Sequence, residues 1–330
     1  MATTITDADW YTIVESVEDG LCVPFLGAAV NLSVDGYAGL PLGYEVAERL
    51  LAPLVGKKRI TFDEFVTVTP GPLLTPADED DERVKDLKEL LKDLIRVRAE
   101  DLSRVALHVA SGAGKGTLVK RLKSILNAAA CDPSRILTTI AGLPIRLVVT
   151  TNYDELMEEA YRRAVPPQEP LVITQPLSGF KPADQRRWAK ELAAVCPMYP
   201  SPRQTDERPI VYKIHGSLGE QSGELIVSEE DYIGFLDTLG RDRKASVPTL
   251  IQDLVVQSRL LFLGYSLEDW DFRTLWKGLV EPVPEEKKQT SFAIQKDPSR
   301  FWERFWERKQ VRIYNVDLYE FVDELRERVA

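Results

Sequence analysis

Four short apolar runs in this chain end alike, each breaking off into small and polar residues. Ile145 to Val149 stops at Thr-Thr-Asn-Tyr-Asp, after which Leu156, Met157, Ala160 and Tyr161 follow at helical spacing. Val23 to Leu26 runs into Gly27-Ala28-Ala29-Val30-Asn31, and Ile210 to Ile214 into His215-Gly216-Ser217. Leu260 to Leu263 runs into Gly264-Tyr265-Ser266-Leu267-Glu268-Asp269. A short apolar run bounded by turn formers and followed by a helix reads as a buried strand of an α/β unit. Sheets of that kind bind ligands just outside the carboxyl ends of their strands. If the four strands are parallel in one sheet, the four clusters meet along one edge.

The remaining pattern supplies the covering elements. Residues 8 to 20 suit an amphipathic helix feeding the first strand, and Glu45 to Leu54 carries Val46, Leu50, Leu51 and Leu54 on one side. Residues 61 to 66 suit a short helix. The acidic stretch from Ala77 places Val84, Leu87, Leu91, Leu94 and Ile95 at helical spacing, its Asp-Glu start suiting the positive end of the helix dipole. Further helices are expected over Leu118 to Ala130, 134 to 142, from Ser228, over Leu250 to Val256 and over Tyr319 to Val329. Late strands are expected at Ser291 to Ile294 and Val311 to Val316. Ala164 to Arg208 carries eight prolines and one helical patch, Asp184 to Ala194. A long irregular stretch of this kind reads as a cover over the cleft. One domain over 1–330 is expected, with a helical insertion at about 72–130 and the proline-rich one at about 164–208.

Composition narrows the function classes. Hydrophobic content of 44% and charged content of 28% are ordinary for a globular chain of 330 residues. A net charge of −10 argues against nucleic acid as a bulk partner, though not against a small anion held by backbone N–H groups. No apolar run approaches the ~20 residues a bilayer requires, and the acidic N-terminus lacks a basic leader, which together point to the cytoplasm. Cys22, Cys131 and Cys196 are scattered without a C-x-x-C pair, so neither a zinc ribbon nor a disulfide framework is expected.

The polar clusters hold the candidate chemistry. Gly27-Ala28-Ala29 is a small-residue turn that would let phosphates approach the backbone, although it is not G-x-G-x-x-G. Asn152 and Asp154 either cap the following helix or hold a sugar hydroxyl or a water at the strand tip. The chain has two histidines. His108, inside an apparent helix, reads as a buried structural residue. His215, at a strand end before Gly and Ser, suits proton transfer near neutrality. Residues 112 to 117, GAGKGT, imitate a P-loop, but Val109 stands where its first glycine belongs and no strand precedes.

Taken in order, FLGAAVN, VVTTNYDELME, VYKIHGS and LLFLGYSLEDWD resemble the sirtuin superfamily, and within it the bacterial sirtuin-like NADase domains of anti-phage defence proteins. The resemblance implies a Rossmann-like parallel sheet flanked by helices, with helical insertions, and NAD+ as substrate. It would set Gly27, Ala28 and Asn31 against the pyrophosphate and ribose, with Ala29 in the place of the family's second glycine, where an added methyl would crowd the pyrophosphate. Thr151, Asn152 and Asp154 would line the nicotinamide and its ribose, His215 would act on the ribose hydroxyls, and Gly264 and Ser266 would contact the adenosine half. Asn152 and His215 would be catalytic, supporting cleavage of the nicotinamide–ribose bond.

Protein-deacylating sirtuins carry four zinc-binding cysteines after the His-Gly pair. This chain has none after Cys196, and Gly39-Leu40-Pro41 continues as Leu42-Gly43-Tyr44 rather than Asp-Phe-Arg. No zinc module and no metal are therefore expected, and NAD+ hydrolysis is favoured over the alternatives of a deacylase, a non-catalytic NAD+ or ADP-ribose sensor, and a scaffold with a vestigial pocket. An enzyme that depletes NAD+ has to be silent until needed. A homo-oligomer, or control by a partner ATPase or sensor protein, is accordingly expected, with sensing supplied by that partner or by a longer polypeptide.

Overall fold

The computed structural model describes residues 4–34, 37–55, 101–127, 131–176, 179–195, 208–219, 225–241, 246–281, 283, 286 and 288–329. These fall into two compact units. The larger comprises 1–40, 127–226 and 230–330, and the smaller 41–126 with 227–229.

The larger unit is built on one seven-stranded sheet with order β3-β4-β2-β1-β5-β6-β7, parallel throughout. Its strands are β1 (Cys22–Leu26), β2 (Leu147–Thr150), β3 (Leu171–Thr174), β4 (Ile210–Lys213), β5 (Arg259–Leu263), β6 (Ser291–Ile294) and β7 (Val311–Tyr314). Alternate residues feed two separate cores, because successive side chains of a strand point to opposite faces. Phe25, Val149, Tyr212 and Phe262 enter one core, where α8 (Glu229–Arg241), α9 (Thr249–Gln257), α10 (Trp270–Leu275), a π-helical turn (Trp276–Val280) and α11 (Arg300–Glu307) contribute. Leu26, Val148, Val211 and Leu263 enter the other, under α1 (Asp7–Glu18), α5 (Arg135–Gly142), α6 (Leu156–Arg163) and α12 (Leu318–Val329). Covering both faces explains why the inner strands read as unbroken apolar runs.

The chain leaves β1 for β2, β4 and β3 on one side and returns to β5, β6 and β7 on the other. The switch in direction therefore lies between β1 and β5, the position at which open parallel sheets bind their ligands.

Two expectations need correction. The proline-rich stretch is not simply an irregular cover, since Leu171–Thr174 forms the edge strand β3 and Pro182–Val195 forms helix α7. Its β3 residues alternate between buried and half-buried, as suits an edge strand, and residues 196–207 lie outside the described ones. His108 does lie in a helix, but on its exposed side rather than in a core.

In the smaller unit α2 (Gly43–Val55), α3 (Leu102–Ala113) and α4 (Lys115–Ile125) pack together. Asp101 caps α3 by accepting from the amides of Ser103 and Arg104. GAGKGT is the break between α3 and α4, made at Gly114 with φ +82°, so the helix-to-helix context of the P-loop imitation is observed. The helices expected at 61–66 and over 84–95 lie outside the described residues.

Candidate active site

The tips of β1 and β5 are joined backbone to backbone. The Gly27 amide donates to Leu263 O at 2.9 Å and the Ala29 amide to Gly264 O at 3.1 Å. A β-carbon on Gly27 would lie 2.4 Å from Gly264 O, and one on Gly264 would lie 2.7 Å from the Val30 amide nitrogen. Gly264 also has φ +75°, a left-handed conformation that L side chains adopt only at a cost. Both glycines are thus required by packing of the protein on itself, independently of any ligand. Residues Ala28–Asn31 form one turn of 3₁₀ helix, in which the Val30 amide donates to Gly27 O at 3.3 Å. Of the amides from Gly27 to Val30, that of Ala28, on the exposed side, is the one with no hydrogen-bond partner among the described residues.

Beyond β2 the chain turns through Thr151 to Glu155. The Thr150 hydroxyl donates to Leu26 O and accepts from the Asn152 amide, each at 3.0 Å, which ties the loop to β1. The Asn152 carboxamide Nδ2 donates to Gly27 O at 3.1 Å. Thr151 Oγ1 meets the Tyr265 hydroxyl at 3.2 Å, and that hydroxyl donates to Leu26 O. Asp154 does cap the next helix, accepting from the Leu156 amide at 2.9 Å, but its other oxygen accepts from Asn31 Nδ2 at 3.2 Å. Burial pushes the Asp154 carboxyl above its ordinary range, against the opposing pull of the nearby Lys213 ammonium. Asn31 is 1% exposed and its Oδ1 has no partner among the described residues.

β4 lies beside β2 in register, Thr150 opposite Lys213, with the Ile214 amide donating to Thr150 O at 3.0 Å. Asn152 and His215 each follow that pair by two residues, so they stand on neighbouring strand tips at one edge. The loops are cross-tied: the Leu218 amide donates to Tyr153 O at 2.9 Å, and the Tyr153 hydroxyl donates to Ile226 O at 2.7 Å. His215 is 2% exposed, with edge-on ring contacts to Tyr232 and Phe235. Its Nε2 has no partner among the described residues, and burial lowers its pKa to about 3, so the ring is neutral near pH 7.

Ser266, half-buried after β5, accepts from the Asp269 amide through its main-chain oxygen at 3.0 Å. Gly264 and Ser266 therefore lie on the β5 side of the switch point, and Asn152, Asp154 and His215 on the β2–β4 side. Among the described residues, no group of three or more His, Cys, Asp or Glu side chains could hold a metal ion, and no helix is long and apolar enough to cross a membrane.

The sequence did not announce Lys213 or Glu158. These side chains, 0% and 2% exposed, form an ion pair of 3.0 Å under the Asn152 loop. The available signal was an ionisable residue lodged in the apolar run Ile210 to Ile214. Tyr265 likewise reads in the sequence only as part of a turn.

No curated protein matches the chain. A family model described as the SIR2-like domain matches residues 146–316, from the start of β2 to just past the end of β7. The matched segment contains the Asn152 loop, the His215 turn and the Gly264 turn, while the Gly27–Asn31 turn lies before it. Since that segment is slightly more than half of the 330 residues, the chain belongs to the SIR2-like domain family, and its function is NAD-related.

Proposed function

We propose that this protein is an NAD+ glycohydrolase, adding water across the nicotinamide–ribose bond to release nicotinamide and ADP-ribose. The observation that carries the reading is the pairing of one carboxamide and one neutral imidazole, Asn152 and His215, on adjacent strand tips beside the switch point. The donation from Asn152 Nδ2 to Gly27 O fixes the carboxamide, and Oδ1, with no partner among the described residues, remains to accept from a ribose hydroxyl or a water. A neutral imidazole can accept a hydrogen bond from a ribose hydroxyl as positive charge develops on the sugar, while a pKa of about 3 makes it a poor proton acceptor near neutrality. The Asn31 Oδ1 and the Ala28 amide, both without partners among the described residues, and the raised Asp154 carboxyl suit a ligand rich in hydroxyls and phosphate oxygens. Catalysis would rest on placement and electrostatics.

In this reading Thr151 and Asp154 line the nicotinamide ribose, Gly27, Ala28, Ala29 and Asn31 lie along the pyrophosphate, and Gly264 and Ser266 along the adenosine. The cellular role is an abortive-infection effector in bacterial antiviral defence, held silent through homo-oligomer formation or a partner ATPase or sensor. Support for that role comes from the resemblance of the four motifs and from the harm unregulated NAD+ loss does to its own cell.

The test is to incubate purified protein with NAD+, with and without candidate partners, and to follow nicotinamide by chromatography. Release from NAD+ alone is the expected result. Release that requires an acylated peptide would make the protein a deacylase, and binding without release would make it a sensor.

A further inference from the structure

We infer that Lys213, with Glu158, is the positioning element of this site, fixing the Asn152 loop to the strand that carries His215. Lys213 is the last residue of β4, and its ammonium has two partners: Glu158 Oε1 on α6, and the main-chain oxygen of Asp154. His215 follows Lys213 by two residues, and Asn152 precedes Asp154 by two. The ammonium is therefore a bridge between the segment bearing the carboxamide and the segment bearing the imidazole. Glu158 is held by α6, whose first turn begins immediately after Asp154 and Glu155, so the anionic partner belongs to the same segment as the loop being held.

Burial makes a purely stabilising role a poor account. Both side chains are removed from solvent, and Glu158 Oε2 has no partner among the described residues. A fully buried ion pair is commonly matched or exceeded in stability by apolar side chains of similar volume, because desolvation offsets the attraction. What an apolar pair cannot do is donate to the Asp154 carbonyl. Without that bond, the loop keeps the Asp154 bond to Leu156, the Asn152 contact to Gly27 and the Leu218 amide on Tyr153 O, but loses the one side-chain tie that joins Asp154 to the end of β4. The separation of Asn152 from His215 would then be set only by main-chain bonds at Thr150 and Tyr153, which leave the Asp154 end of the loop free to shift. The assignment deepens the NAD+ reading and relies on it for its kinetic consequence only.

The test uses the double variant Lys213→Met/Glu158→Leu, which leaves no unpaired buried charge, alongside Lys213→Met alone. The double variant is expected to fold with a melting temperature close to that of the unaltered protein. Its kcat for nicotinamide release should fall about 10²-fold, the usual penalty of misplacing a reacting group by about 1 Å, while KM stays within about threefold. Amide hydrogen exchange at Thr151 to Glu155 should accelerate while β2 and β4 keep their protection. A folded double variant with undiminished kcat, or with unaltered exchange in that loop, overturns the assignment. If the unaltered protein releases no nicotinamide, the proposed activity fails by itself, and the exchange measurement still decides the positioning role.

Discussion

Where β1 and β5 end, backbone packs on backbone; where β2 and β4 end, charge and hydrogen-bonding side chains are buried instead. At the first place Gly27 and Gly264 face each other closely enough that either β-carbon would strike main-chain atoms, and the amides of Gly27 and Ala29 find carbonyls across the gap. At the second, Lys213 and Glu158 form a buried ion pair, and His215 Nε2 and Glu158 Oε2 lack partners among the described residues. Buried polar atoms without partners are destabilising, and native structures keep few of them. Asn31 Oδ1 on the β1 turn is a third such atom, so the β1–β5 side supplies shape and one acceptor, while the ion pair and the imidazole lie on the β2–β4 side.

Substitutions can break that division from either side. Asn152→Ala and His215→Ala should each lower nicotinamide release by about 10²–10⁴-fold, the range for losing a group that handles protons or positions a reactant, with circular dichroism unchanged. Wild-type turnover in both would remove the chemistry from the β2–β4 side. Gly264→Ala should act on stability, because it combines a left-handed φ with a contact of 2.7 Å to the Val30 amide nitrogen. A loss of about 2 kcal/mol or more in urea unfolding is expected from conformation and crowding together. Gly27→Ala should behave similarly, since its β-carbon would meet Gly264 O.

The pH dependence sharpens the comparison. The His215 pKa is lowered from 6.5 to about 3 by burial, so between those values the unfolded chain binds a proton that the folded chain does not. Stability from this group is fully present above pH 6.5 and is lost as pH falls toward 3, at up to about 1.4 kcal/mol per pH unit. His215→Phe, which keeps an aromatic ring against Tyr232 and Phe235, should show a shallower loss over that window in urea titrations at stepped pH. Equal slopes would mean that the imidazole is not desolvated as described. Smallest of all, Arg163→Ala should move the urea midpoint little, because its pairs with Asp132 at 2.6 Å and Glu159 at 2.7 Å are made by a half-exposed guanidinium at the surface.

Much of the fold was legible because the inner strands are covered on both faces. Six of the seven strands coincide with apolar runs read directly from the residues, and Ser291–Ile294 agrees to the residue. The seventh, Leu171–Thr174, escaped notice because an edge strand is only half covered and this one lies among prolines. Helix α11, with the run Arg-Phe-Trp-Glu-Arg-Phe-Trp-Glu, is likewise not among the elements expected from the sequence, although Trp306 from it is fully buried and donates to Leu267 O. At the site, polar residues at strand tips were visible as breaks in apolar runs, whereas Lys213 was hidden inside one.

From the residues in order alone, one can tell which segments are strands and which polar clusters follow them, because burial on two faces and the turn preferences of Gly, Asn and Asp are local properties. Strand order is not local: nothing in Val23 to Leu26 says that it pairs with both Leu147–Thr150 and Arg259–Leu263. Nor does anything in the sequence say that the ammonium of Lys213 meets a carboxylate 55 residues earlier. Those choices belong to the tertiary structure, since a parallel sheet brings together strands whose separation along the chain leaves no trace in either one.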